Sequence, residues 1–365
     1  MEKKILMITS TSTVGGGPKQ LMLLASGLKE LYDVSIACPL NGEINRQIPN
    51  DISGKSIYIK ERKVSVLDII RLVAFVRKFS IKIIHSHGKG ASVLGRLTSF
   101  FTGVPLIHTF HGIHINKVPK ISRLIYIFYE RLTSFIDFYD IFVSKTEFLE
   151  ASNHNLINND KFVIIPNGVP NNYLTIDTIK NRIDLRKELQ ISINRTTVVT
   201  LCRLEKVKNL FEFIDIATLC PQYDFIIIGG GNLETNLREY IYHRRLKNIF
   251  LAGFIPNPIN YLLASDIYLS TSFREGHPIS ILEAMSIALP VIATDVTGNQ
   301  DTIIHEKSGF FYDLGNINLA VNYINMLDKD LILRRKLGKE ALSKQRKYFS
   351  SDTMIANYLK IYSSF

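Results

Sequence analysis

The chain is poor in cysteine, in acidic residues and in long apolar runs, and each shortage closes off a class of protein. Three cysteines stand among 365 residues, Cys38, Cys202 and Cys220. Their number is odd and their spacing fits no metal-ligand pattern, so they read as reduced thiols of a cytoplasmic protein, with no zinc site. Apolar stretches such as 121–129 run into charge, here Glu130 and Arg131, long before the roughly 20 residues that a membrane-spanning helix needs. The opening MEKKILMITSTS carries a basic start, but its apolar run Ile5 to Ile8 is too short for a secretory leader. Acid is outnumbered by base, 33 residues to 44, and the excess is uneven: residues 1–170 hold 21 basic and 13 acidic side chains, residues 171–365 hold 23 and 20. A basic first half favours an anionic partner, and nucleic acid, anionic lipid and a phosphorylated small molecule all fit.

What is present is a globular composition, 46% hydrophobic and 21% charged with no long biased tract, which excludes disorder as the main state. Short β-branched runs at 4–10, 33–38, 82–87, 105–110, 139–144 and 161–166 alternate with helical patterns near 18–31, 66–80, 90–102, 120–137 and 146–153. This alternation predicts a doubly wound parallel sheet. A polar segment around 168–195 interrupts the rhythm, which resumes with strands at 196–202, 223–229, 248–253, 266–272 and 290–294. The reading is therefore α/β, with a Rossmann-like domain over 1–170, a second over 171–347, and a C-terminal helix over 348–365 packing back on the first. Open parallel sheets bind ligands beyond the carboxyl ends of their strands, so two such domains facing each other predict a cleft.

Four loops after strands carry candidate chemistry. Gly15-Gly16-Gly17 follows the first strand and opens a helix through Pro18, either as an anion-cradling backbone or as a plain flexible turn. It fails the dinucleotide fingerprint at Gln20, and Gly229-Gly230-Gly231 fails at Glu234. His85 and His87 share one strand face and are joined by His111 one strand later. Three imidazoles there could bind a metal, but with no carboxylate at useful spacing His85 and His87 read better as structural hydrogen-bonders and His111 as the substrate contact. Arg203 and Lys208 lie five residues apart in the loop entering helix 209–219 and could clamp two phosphates, or be ordinary solvated cations. In FREGHPISILEAMSIALPVIATD, Pro278 is placed to be the first helical residue, with Glu275 at the helix mouth and Glu283 five residues inside. One carboxylate at the mouth and one down the helix suit two diols flanking a diphosphate. The plainer alternative is a dipole-favoured acid and an ordinary helix Glu.

Glu275 and Glu283 within this segment, preceded by Arg203 and Lys208 and by IPNGVP at 165–170, with GGG near the start, HSH at 85–87 and TFHG at 109–112, resemble the retaining family 4 glycosyltransferases of GT-B fold over nearly the whole chain. The resemblance implies that Arg203 and Lys208 neutralise a donor diphosphate, that Glu283 binds the ribose and that Glu275 holds the transferred sugar. It also implies that Gly276, His277, Ile279 and Ser280 line the donor, that Gly16 and Gly17 border the phosphates, and that His111 lies by the reacting sugar, with His85 and His87 in the acceptor region. Cys202, Asn209 and Ala288 stand where the family commonly has glycine. No cofactor and no metal are expected, because fixed cations serve the diphosphate. Asp328-Lys329-Asp330 matches D-x-D formally but reads as a solvated turn.

The resemblance points toward bacterial enzymes of surface polysaccharide, O-antigen and capsule synthesis. It implies a UDP-activated hexose or N-acetylhexosamine as donor and a polyprenyl-diphosphate-linked saccharide as acceptor. Segments 60–78 and 120–139 interleave apolar and cationic residues. They read either as surfaces lying on the anionic inner face of the cytoplasmic membrane or as core-packed amphipathic helices. Two other classes remain, a nucleotide-sugar epimerase and a basic nucleic-acid-binding protein. The first leaves the Glu275 and Glu283 spacing without a reason, and the second lacks a recognised module, so no nucleic acid is expected.

Overall fold

The structure is a computed structural model that describes all residues except 1–2, 12–14, 43–44, 47, 49–51, 53–55, 114–118, 158–160 and 174–181. The chain forms two compact units, Met1–Asn167 together with Ser351–Phe365, and Gly168–Ser350. The sequence reading placed the breaks at 170/171 and 347/348. The C-terminal helix expected over 348–365 spans Ser351–Tyr362 and follows a separate helix Leu331–Tyr348 of the second unit, with the chain passing between units after Ser350.

The first unit holds a seven-stranded sheet: β1 (Lys3–Thr9), β2 (Tyr32–Pro39), β3 (Ile57–Ile59), β4 (Ile83–His87), β5 (Leu106–Thr109), β6 (Asp137–Phe142) and β7 (Phe162–Ile164). Their order is β3-β2-β1-β4-β5-β6-β7, with every pair parallel. Successive residues of a strand face opposite sides, so Ile5 and Met7 enter one core while Leu6 and Ile8 enter the other. Burial on both faces is why β1 reads as an unbroken apolar run. Helix Ser351–Tyr362 closes one face, placing Met354, Tyr358 and Tyr362 in the same core as Ile5. It passes so near helix Gly16–Leu28 that a Cβ on Gly27 would fall 2.3 Å from Ile355 Cδ1.

The second unit repeats the plan with six strands: β8 (Thr197–Leu201), β9 (Asp224–Ile228), β10 (Ile249–Gly253), β11 (Ile267–Ser270), β12 (Val291–Thr294) and β13 (Gly309–Tyr312). The order is β10-β9-β8-β11-β12-β13, again parallel throughout. Two strands were not expected from the sequence, β3 and β13. Both are edge strands, of three and four residues; β3 alternates buried and exposed residues and β13 opens on glycine, so neither shows a continuous β-branched run. Gly309 opens β13 because a side chain there would strike the Val291 carbonyl at 2.5 Å.

In each sheet the order of strand addition reverses once, between β1 and β4 and between β8 and β11. Beside such a switch point the connections leave in opposite directions and open a crevice at the strand ends. Most of the candidate residues lie at or after the ends of these four strands, with His111 after β5 beside them. Among the described residues no helix is long and apolar enough to cross a membrane.

Candidate functional site

In the second unit the crevice lies after β8 and β11. The loop after β8 packs backbone to backbone on the Gly229-Gly230-Gly231 turn: Cys202 N–H donates to Ile228 and Leu204 N–H to Gly230, both at 3.0 Å. A Cβ on Gly229, at φ +142°, would sit 1.8 Å from the Cys202 carbonyl oxygen. The second glycine triplet thus lets Arg203 leave the sheet at this point. Arg203 is partly exposed, its Nη1 2.8 Å from Glu205 Oε1. Lys208 closes a short turn, Lys206–Lys208, that is tied to the strand beside it by Thr271 Oγ1 donating to the Lys208 carbonyl at 2.9 Å.

This tie brings Lys208 to Glu275. The ammonium lies 2.5 Å from Glu275 Oε1, both side chains less than one-sixth exposed, and Ser272 Oγ donates to the same oxygen at 2.7 Å. The structure therefore joins two residues 67 positions apart that the sequence reading had linked only through a ligand. An ammonium has three donors, so this pair leaves it capacity for a phosphate. The Glu275 loop is held from below by the next one. Glu275 N–H donates to Thr297 at 3.0 Å, and Gly298, at φ +83°, lies where a Cβ would be 2.6 Å from the carbonyl oxygens of Glu275 and Gly276.

The following helix spans Ile279–Ser286, so Pro278 is its N-cap and not, as the sequence suggested, its first residue. The Pro278 carbonyl accepts from Ile281 and Leu282, the role of a residue still half outside the helix. Glu283 is buried on this helix. Burial, and then the charge of Glu283, push the Tyr173 hydroxyl up to about 12. Tyr173 was not singled out from sequence, since it stands in the polar connection with no periodic signal. Ile279 is buried in the core, which leaves only its backbone facing the loop. Ser280 bonds the buried Tyr268 hydroxyl. His277 turns inward as well: its ring centroid is 4.9 Å from that of Phe349, and burial holds it down to about 3, a neutral imidazole.

In the first unit the crevice lies after β1 and β4. Helix Gly16–Leu28 starts there with Gly15 as its N-cap. Gly17 lies so near His111 that a Cβ would come within 3.0 Å of the imidazole. His111 Nε2 is 3.2 Å from His87 Nδ1, and the two rings stack. His85 is fully buried, bonded through Nε2 to Thr109 Oγ1 at 2.8 Å and through Nδ1 to the Tyr362 hydroxyl at 2.5 Å. Burial drives His85 and His111 down to about 3, with His111 adding to the effect on His85. His87 is held well below the ordinary imidazole range by burial and then by His85, His111 and His108. The mouth is therefore neutral. Among the described residues no group of three His, Cys, Asp or Glu is arranged to hold a metal.

Two supports were missed from sequence. Helix Ser351–Tyr362 supplies Tyr362 to His85 and Tyr358 to Thr109, with Gln20 Nε2 donating to the Tyr358 hydroxyl at 2.9 Å. Glu147 is buried and accepts from the N–H of Val143 at 2.9 Å and from Gly112, the residue after His111. Burial lifts its carboxyl to about 7 against the pull of those two amides. Here a signal existed: Ser144-Lys145-Thr146-Glu147 has the capping-box spacing, and Ser144 Oγ does accept from Glu147 N–H at 3.1 Å.

Two of the departures from the family's glycines also acquire a physical meaning. Asn209 and Ala288 have φ of +51° and +59°, the left-handed region where glycine is unstrained and Asn tolerable. Asp328-Lys329-Asp330 is structural: Asp330 caps helix Leu331–Tyr348 through Leu333 N–H, and Asp328 accepts from Tyr223.

Residues 14–172 match the family Glycosyltransferase Family 4 and residues 181–344 the family Glycosyl transferases group 1. The UDP-Gal:alpha-D-GlcNAc-diphosphoundecaprenol alpha-1,3-galactosyltransferase of Escherichia coli is 27% identical over 352 residues, spanning 86% of this chain and 88% of its own. The capsular polysaccharide biosynthesis glycosyltransferase CapM of Staphylococcus aureus is 22% identical over 309 residues, 81% of this chain and 80% of its own. Among solved structures, Anabaena HepE in complex with UDP-glucose aligns with a TM-score of 0.86 at 20% identity, covering 99% of this chain and 100% of that one. That likeness shows the GT-B fold, two Rossmann-like parallel-sheet domains.

Proposed function

From a chain that belongs to the glycosyltransferases, family 4 in its first half and group 1 in its second, we propose a retaining, metal-independent enzyme. It moves a hexose or N-acetylhexosamine from a UDP-sugar to a polyprenyl-diphosphate-linked saccharide, working in the cytoplasm at the inner face of an anionic membrane during surface-polysaccharide synthesis. The observation that carries the reading is the Lys208–Glu275 pair at the switch point of the second sheet. One member suits a phosphate and the other a sugar hydroxyl, and they are already in contact. The E. coli relative, whose name states a UDP-sugar donor and a diphosphoundecaprenol-linked acceptor, supports the choice of both substrates.

In this reading Arg203 and Lys208 hold the donor diphosphate, Glu283 the ribose and Glu275 the transferred sugar. Gly276 and the backbone N–H groups of Ile279 and Ser280 add donors at the helix start, where its dipole favours negative charge. In the first unit Gly16, Gly17 and His111 meet the substrates, and His85 and His87 keep the His111 ring in place. The acceptor oxygen bonds to the anomeric carbon as the bond from that carbon to the β-phosphate oxygen breaks. The acceptor's proton passes to the departing phosphate oxygen, so the new bond forms on the face the leaving group vacates. The two cations and the helix N–H groups stabilise the charge gathering on that phosphate.

The test supplies UDP-hexoses and UDP-N-acetylhexosamines with a short-chain polyprenyl-diphosphate saccharide, with and without a chelator. A product of retained anomeric configuration, formed equally in the chelator, is expected. Isomerised donor without acceptor identifies an epimerase instead, and chelator-sensitive transfer removes the metal-independent part.

A further inference from the structure

Helix Lys120–Thr133 is inside out. In a water-soluble protein an amphipathic helix turns its apolar stripe to the core. Here the two buried residues are Tyr126 and Glu130, while Ile121, Leu124, Ile125, Phe128 and Leu132 are each 58% to 74% exposed, and Phe135 in the turn beyond is 71% exposed. Spacings of three and four residues set these side chains on one face. Phe100 and Phe101, on the neighbouring helix Lys89–Thr102, are 67% and 54% exposed. Apolar residues scattered on a surface are ordinary, but a contiguous stripe of this kind marks a contact.

The helix is held in this attitude by polar bonds. Arg96, 1% exposed on helix Lys89–Thr102, donates to Glu130 Oε2 at 2.8 Å, to Thr133 Oγ1 at 2.9 Å and to Asp137 at 2.5 Å. The Lys89 ammonium lies 3.6 Å from the centre of the Tyr126 ring. Removing one partner of a buried ion pair is costly, so this network resists the rotation that would bury the stripe.

We infer that this face inserts into the headgroup region of an anionic lipid bilayer. The charge pattern selects this occupant. Glu130, the only acid on the helix, is buried against Arg96, while Lys120, Arg123 and Arg131 keep some exposure. Cations flanking an apolar stripe match phosphate headgroups over acyl chains. A second copy of the chain would instead set these cations against themselves across a two-fold axis. At 14 residues the helix is about 21 Å long, short of a bilayer core, so it lies in the membrane plane. This deepens the reading above by naming the surface through which the enzyme reaches a lipid-linked acceptor.

The test is flotation of the full chain with vesicles of phosphatidylcholine alone or mixed with phosphatidylglycerol. The protein is expected to float with the mixed vesicles and to be partly released by salt. The triple change Leu124→Ser, Ile125→Ser and Phe128→Ser should lower the bound fraction about tenfold or more with an unchanged thermal midpoint. Lys120→Gln with Arg123→Gln should remove the preference for phosphatidylglycerol. A triple variant that floats like the parent overturns the inference. So does a parent that ignores vesicles and instead self-associates in sedimentation through the stripe. Transfer to a water-soluble acceptor, measured alongside, separates the two readings. Flotation without any transfer overturns the proposed function alone, and transfer without flotation overturns this inference alone.

Discussion

The two units share a fold and differ in what they set at the mouth of the sheet. After β8 and β11 stand Arg203, Lys208, Glu275 and Glu283, with Lys208 and Glu275 in contact. At the end of β4 stand His85 and His87, and after its neighbour β5 stands His111, all held neutral by burial, beside a helix that begins on glycine. A diphosphate carries charge that only fixed cations offset, whereas a neutral mouth suits groups that exchange hydrogen bonds. The same topology thus yields an anion site or a hydroxyl site according to the residues after its switch-point strands.

The largest effect expected on this contrast is that of Glu275→Gln, which should lower turnover about a thousandfold while UDP binding stays measurable. Full activity in that variant would take Glu275 out of the sugar site. Next, Arg203→Ala with Lys208→Ala should weaken UDP binding about a hundredfold by calorimetry, the order expected for charge-assisted bonds of which one is partly exposed. His111→Ala should lower turnover and leave UDP affinity unchanged. If it weakens UDP as much as the double change does, the contrast between charged and neutral mouths fails.

A fourth measurement sharpens the neutral side. The Glu147 carboxyl is lifted from 4.5 to about 7 by burial, so in this interval the native state holds a proton that the unfolded chain has released. Its contribution to stability is present at low pH and is lost as pH rises through about 7. Denaturant melts of wild type and Glu147→Gln should therefore show wild type losing ground steadily between pH 5 and pH 7. Parallel curves would show that Glu147 stays ionised. The smallest effect is on the charged side: Ala288→Gly, relieving φ of +59°, should raise stability by about 0.5–1 kcal/mol. An unchanged melting midpoint would show that the backbone there is unstrained.

The alternation of strands and helices was legible because buried parallel strands are continuous apolar runs, as in KILMITS and FIII. The edge strands β3 and β13 were not, since β3 alternates buried and exposed residues and β13 opens on glycine, without the continuous β-branched run that marked equally short strands such as β7 and β12. The charged candidates were legible singly from residue type and position after a strand. Their partnership was not, because contact between Lys208 and Glu275 depends on β8 lying beside β11, and sequence carries no strand order. The role of Glu147 could have been read from its capping-box spacing with Ser144. The bond from Tyr362 to His85 left no trace, as nothing local links residues 277 positions apart. Segment 120–139 illustrates the limit of periodicity: the stripe was visible, but which side of the helix met water was decided by Arg96, on another element.

That bond to Tyr362 also dictates an order of manufacture. Synthesis runs from the N-terminus and domains generally fold as they emerge, yet the first unit takes Met354, Tyr358 and Tyr362 into its core. The ribosome must make the second unit in full before the last partner of His85 leaves the exit tunnel. The half that is translated first is thus completed last, and a premature stop that spares every residue of the second unit would still leave the first without its closing helix.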